Sequence, residues 1–170
     1  HGPKIRTNPM LLRFAYNGNN PQPTPAQTVA VTNIGDSSPD QNGNTALAIR
    51  NVKIVAGPDA YVFSITNNAY QGQTNMAPNM SCSIGLLCNP NTNPPRKGTP
   101  SQGAISFRQI NPRHAPFNSA LEIETNARAS TKVSIPLTCW SSTYEPIQGR
   151  PEKVGKPPLD KRLEKTGKGL

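Results

Sequence analysis

Five residues carry the chemistry most specific to this chain: His1, His114, Cys82, Cys88 and Cys139. No Cys-x-x-Cys or His-Cys spacing of a zinc site is present. Two imidazoles far apart in the chain can still meet in space, and nitrogen ligands suit copper. Against that, His1 reads as an accidental processing site and His114 as an ordinary loop residue. Cys82 and Cys88 lie six apart on one apparent strand, about 20 Å when extended, so they cannot bridge each other. Cys88 and Cys139 both alternate with the apolar face of their segments. Two readings stay open for them: a Cys88–Cys139 disulfide, or three buried thiols acting as small apolar residues. An odd cysteine count leaves at least one thiol outside any internal pair.

Other catalytic arrangements fail on inventory. There is no supported Ser-His-Asp grouping, no glycine loop to cradle phosphate, and no carboxylate pair in an apolar context. Glu122 and Glu124 alternate with Leu121 and Ile123, which makes them solvated charges on the wet face of a strand. The expectation is a protein that is not an enzyme and uses no cofactor.

The elements that would position these residues are strands. Met80 to Pro90 sets the pattern: Cys82, Ile84, Leu86 and Cys88 fall on one face, with Ser81, Ser83 and Gly85 on the other. Further strands are predicted at Met10–Phe14, Thr28–Asn33, Ala46–Ala56 with a break near Asn51, Tyr61–Thr66, Gly103–Ile110, Ala120–Asn126 and Lys132–Trp140. Pro136 points away from the apolar face of the last strand, which argues for an edge position or a bulge. With 19 prolines and 13 glycines in 170 residues, long helices are excluded. Seven or eight short strands separated by turn chemistry predict an all-β, immunoglobulin-like antiparallel sandwich.

Residues 1–9 are polar with two prolines and read as an N-terminal arm, 10–140 as the sandwich domain, and 141–170 as a basic Pro/Lys-rich C-terminal arm. Eighteen basic against nine acidic residues give a net charge of +9, and the last 22 residues hold a net +4 of it. Such a balance favours acidic partners. Nucleic acid is not the expected one, because the basic residues are scattered and only nine aromatics are present, with no stacking platform. No segment is long or apolar enough to span a membrane.

Five motifs in order resemble the ASH/Hydin-like, "choice-of-anchor D" immunoglobulin-like domains. They are Thr28–Gly35 (TVAVTNIG), Gly57–Ile65 (GPDAYVFSI), Pro78–Pro90 (PNMSCSIGLLCNP), Leu121–Asn126 (LEIETN) and Val133–Leu137 (VSIPL). Cys88 and Cys139 stand where that family usually has phenylalanine and glycine, and Gly103–Ile110 looks inserted. The resemblance implies a seven-strand sandwich used for binding or scaffolding, with no catalytic residues. A chain beginning with histidine is also similar to the histidine-brace copper proteins, lytic polysaccharide monooxygenases among them, in which His1 and His114 would be the ligands.

The reading that follows is a non-catalytic structural or adaptor subunit of a larger extracytoplasmic assembly. Its other subunits would be met through the two arms, with Arg150, Lys153, Lys156, Lys161, Arg162, Lys165 and Lys168 as contacts. A chain starting at His1 reads as a processed product, so the expected location is periplasmic, cell-surface or secreted, after removal of a leader. The copper brace is the alternative.

Overall fold

The computed structural model describes residues 1–67, 70, 73, 75–95 and 116–143. His114, the strand expected at Gly103–Ile110 and the seven basic residues from Arg150 to Lys168 lie outside the described residues.

Eight strands form among the described residues: β1 (Ile5–Asn8), β2 (Leu12–Tyr16), β3 (Gln27–Asn33), β4 (Ile49–Ile54), β5 (Phe63–Asn67), β6 (Ser81–Cys88), β7 (Phe117–Thr125) and β8 (Lys132–Ser141). They make two four-stranded sheets, ordered β1-β3-β6-β5 and β2-β8-β7-β4. Every pairing is antiparallel except β2 with β8. This is an all-β, immunoglobulin-like sandwich in which the chain's first two strands belong to opposite sheets.

Alternation puts the core where the pattern predicts it. Ile84, Leu86 and Cys88 of β6 are fully buried, as are Val29 and Val31 of β3 and, from the facing sheet, Leu121, Ile123, Ile135 and Cys139, with Leu137 1 % exposed. Gly85 apart, the opposite faces of β3 and β6 carry half-buried or exposed residues such as Thr28, Ala30 and Ser83. The break expected near Asn51 is a register shift between Ile49 and Asn51 of β4.

Three expectations need correction. Residues 1–9 are not a free arm, because Ile5–Asn8 pairs with β3 from Ile5↔Asn33 to Asn8↔Ala30. An edge strand needs only backbone groups facing an open ladder, so the polar sequence IRTN suffices. The Met10–Phe14 strand begins later, at Leu12, because Leu12, Phe14 and Tyr16 are the side chains that alternate into the core. Met10 and Leu11 form an exposed corner instead. Tyr61 does not share a strand face with Phe63: Ala60–Val62 is a 3-10 turn that buries Val62. Tyr61 meets Phe117 edge-on at 6.2 Å.

Pro136 lies in a strand flanked on both sides, yet its position is locally an edge. Pairing of β2 with β8 starts at Leu12↔Leu137, one residue beyond it, so no β2 residue is registered opposite the proline. Toward β7 it faces Ala120.

Cys88 and Cys139 form a disulfide, S–S 2.04 Å with 6.4 Å between the Cα atoms. It ties β6 of one sheet to β8 of the other. Both cysteines are fully buried beside aromatic rings: Phe63 pairs with Cys88, and Phe14 and Phe117 with Cys139. With the cysteines 51 positions apart in the chain, the loop-entropy model gives about 4 kcal/mol of stabilisation. Cys82 is a free, half-buried thiol whose pKa is raised by burial.

Candidate functional site

His1 and several charged side chains gather at one end of the sandwich, where residues 1–4, the loop after β3 and the β7–β8 turn converge, while the Cys88–Cys139 disulfide lies toward the other end. Two asparagines that end strands hold this end together. Asn33, the last residue of β3, is fully buried. Its Oδ1 accepts from the backbone N–H groups of Lys4 (3.2 Å) and Gly35 (2.9 Å), and its Nδ2 donates to the carbonyls of Thr45 (3.1 Å) and Met76 (2.8 Å). One side chain thus satisfies four backbone groups from four segments, which open loops buried together otherwise leave unpaired. Asn126, just past β7, repeats the device at smaller scale: Oδ1 accepts from Ala48 N–H and Nδ2 donates to Ala46 C=O.

The amino-terminal residues are strapped onto this base. Gly2 N–H donates to Ser38 C=O at 2.8 Å, and Ile34 N–H to Lys4 C=O at 2.8 Å. Gly35 must be glycine here, since a Cβ would run into the Gly2 carbonyl oxygen. His1 Nδ1 lies 3.4 Å from Asp36 Oδ2, with both side chains more than half exposed. In solvent such a pair contributes little.

Asp40 organises the neighbouring loop. Its Oδ1 accepts from Asn42 N–H (2.8 Å) and Asn44 N–H (2.9 Å), and its carbonyl accepts from Gly43 N–H (2.9 Å). Gly43 sits at φ +79°, the left-handed conformation that favours glycine in such a turn. The Asn44 amide, above all, holds the Asp40 carboxyl below its ordinary pKa, with smaller help from Asn42 and from the Arg128 charge.

Between these segments lies an open cleft of about 390 Å³ lined by His1, Pro3, Lys4, Asp40, Arg128 and Ala129. Arg128 is carried by the tight turn between β7 and β8, fixed by Ala127 N–H donating to Thr125 Oγ1 and Ser130 N–H to Ala127 C=O. No described carboxylate lies within ion-pair distance of Lys4 or Arg128. The cleft therefore offers two cations and a loop-held carboxylate, which suits a carboxylate or phosphate group better than a metal. Among the described residues no group of three or more His, Cys, Asp and Glu side chains could hold a metal ion.

Of the residues singled out from sequence, the structure brings Cys88 and Cys139 together and places His1 beside Asp36. Sequence reasoning missed Lys4, Asp40 and Arg128, which are distant in the chain. It also missed the bracing roles of Asn33 and Asn126, whose signal was present: both follow threonine at the end of an alternating run.

No family model matches the chain, and no curated protein matches it. Solved structures do. A protein of unknown function from Porphyromonas gingivalis W83 is 9% identical with a TM-score of 0.50, covering 82% of this chain and 47% of its own. The Vibrio cholerae VesB protease is 10% identical with a TM-score of 0.49, covering 79% and 31%. The periplasmic chaperone SfaE is 13% identical with a TM-score of 0.44, covering 82% and 58%. At these identities the first shows a shared sandwich fold and nothing more, and the other two carry no argument. The chain spans less than half the length of the first of these structures.

Proposed function

We propose that this chain is a non-catalytic structural or adaptor module of a larger extracytoplasmic assembly, akin to the choice-of-anchor D immunoglobulin-like domains. The observation that carries the reading is where the buried polar groups go. Asn33, Asp59, Thr24, Thr125 and Ser141 are buried, and each bonds to a loop or strand. Asp59 Oδ2 accepts from Asn118 N–H, Thr24 Oγ1 from Cys88 N–H, and Ser141 Oγ pairs with Thr143 Oγ1. Among the described residues no buried side-chain nitrogen or oxygen lacks a hydrogen-bond partner. Polar groups used this way make a rigid body, and a disulfide between its sheets makes it more so.

The Cys88–Cys139 bond supports an oxidising compartment, where such bonds form and persist. Among the described residues no helix is long and apolar enough to cross a membrane. The proposal places the protein in the periplasm, on the cell surface or in the secreted fraction. Its partners are other protein subunits, bound through the basic C-terminal segment and through the Lys4–Arg128 cleft, which receives an acidic group. The test is the native mass of the protein in unfractionated extract from its own source, by sedimentation after mild cross-linking. The expected result is a species several times larger than the 18.3 kDa chain. Recovery as a free chain alone contradicts the proposal.

A further inference from the structure

We infer that β1 is an exchangeable strand: two copies of this chain associate by each inserting residues 1–8 into the place its partner's β1 occupies beside β3. This names a partner for the assembly proposed above, though a monomeric result here leaves that assembly standing, since unlike subunits can dock without moving β1.

The first observation is the socket. Among the described residues, the hydrogen bonds that hold residues 1–8 run to one continuous segment. Ile5–Asn8 pairs with Ala30–Asn33, Lys4 bonds Asn33 and Ile34, and Gly2 bonds Ser38. A second copy presents the same segment, so every one of these bonds is remade in trans without rearrangement. Exchange then costs association entropy alone, which any new contact at the hinge must offset.

The second observation is the hinge. Only Pro9, Met10 and Leu11 join β1 in one sheet to β2 in the other. Met10 is 75 % exposed and Leu11 48 %, two adjacent large apolar side chains. Extended across a two-fold axis, two such hinges run side by side and cover one another's Met10 and Leu11. The other large apolar side chains exposed among the described residues are Ile34 and Met80. They border the opposite end of the same socket: Ile34 N–H bonds Lys4 C=O, and Asn33 N–H bonds Met80 C=O. Exposed apolar surface thus brackets β1 at both ends.

The third observation is charge. The chain carries +9, which opposes self-association over most of its surface, yet Thr7 to Leu12 holds no charged residue. Two basic copies can meet at this segment without facing like charges.

The experiment uses Arg6 and Thr32, directly opposed across β1 and β3. Opposed residues of an antiparallel pair lie about 4.5–5.5 Å apart at Cα, within disulfide reach. The full chain carrying Cys82→Ser, Arg6→Cys and Thr32→Cys is made in isotopically light and heavy forms. The two are mixed, incubated to equilibrium under reducing conditions mild enough to leave the buried Cys88–Cys139 bond intact, and then oxidised. Exchange is expected to give peptides linking position 6 of one isotopic form to position 32 of the other, in a fraction that grows with protein concentration. Light–light and heavy–heavy links alone, on monomeric bands at every concentration, overturn the inference. Met10→Ser/Leu11→Ser in the same background is expected to lower the mixed fraction several-fold while leaving the melting transition in place. An unchanged mixed fraction overturns the role given to the hinge.

Discussion

Asn33→Ala tests the claim that one side chain holds the amino-terminal end together. The substitution leaves four backbone groups without their partner. Two of the lost bonds, from Gly35 N–H and to Met76 C=O, are buried, and each leaves a group whose desolvation costs about 1–3 kcal/mol. The other two, with Lys4 N–H and Thr45 C=O, are only partly buried, so water replaces the amide and each loss is about 0.5–1.5 kcal/mol. A water entering the vacated volume recovers part of the buried cost. The expected loss is about 3–6 kcal/mol, a large share of the roughly 5–15 kcal/mol that holds a typical domain. Asn126→Ala is the control. Its two bonds are both partly buried, so about 1–3 kcal/mol is expected. Asn33→Asp keeps the side-chain volume and an acceptor for the Lys4 and Gly35 N–H groups but sets a carboxylate against the Thr45 and Met76 carbonyl oxygens, and it is expected to remain well below the wild-type stability. Urea titrations with the disulfide intact read all three, with slopes unchanged if the exposed surface is the same. A loss at Asn33 equal to or below that at Asn126 refutes the bracing argument.

Leu86→Ala, at a fully buried centre of β6, is expected to cost about 2–5 kcal/mol, while Ser83→Ala on the exposed face stays within about 0.5 kcal/mol. The same titrations read both, and equal losses would mean the inward face is misassigned. Replacing Cys88 and Cys139 together by serine is expected to lower stability by about 4 kcal/mol without changing the far-ultraviolet dichroism of the native state. Loss of the fold outright would show the bond to be a condition of folding and not a clamp on it. Asp40 has its pKa lowered in the folded state, chiefly by the Asn44 amide. Its contribution is therefore complete above the ordinary carboxylate range near pH 4 and is lost as pH falls through the depressed value. Asp40→Asn should flatten the acid limb of the stability profile and leave neutral pH little changed.

Much of the sandwich was legible because its strands alternate. In β3, β6, β7 and β8 the apolar set at period two is the set found buried, save Cys82 and Val133 near the strand ends, which are half-buried, and turn residues between them mark where the chain reverses. β1 was not legible, because IRTN between two prolines has one large apolar residue; it is a strand only because β3 offers an open edge. Tyr61 misled for a related reason. Periodicity counts apolar residues without registering that Asp59 and Gly57 start a tight turn, which shifts the buried position to Val62. Cys88 and Cys139 could be seen to point inward, but which sheet each strand joins is a matter of long-range pairing that local pattern does not encode. The cleft was invisible for the same reason. Lys4, Asp40 and Arg128 share no spacing, and only the convergence of residues 1–4, the loop after β3 and the β7–β8 turn brings them together.

The central claim is that a self-sufficient sandwich serves an assembly through surfaces outside its core. Deleting residues 149–170 and measuring both the melting transition and incorporation into the native complex tests it most directly. The deletion removes seven basic residues and leaves every described strand and the Cys88–Cys139 bond in place. The expected result is an unchanged transition with incorporation abolished. A truncated chain that unfolds, or one that still assembles as the full chain does, contradicts the account.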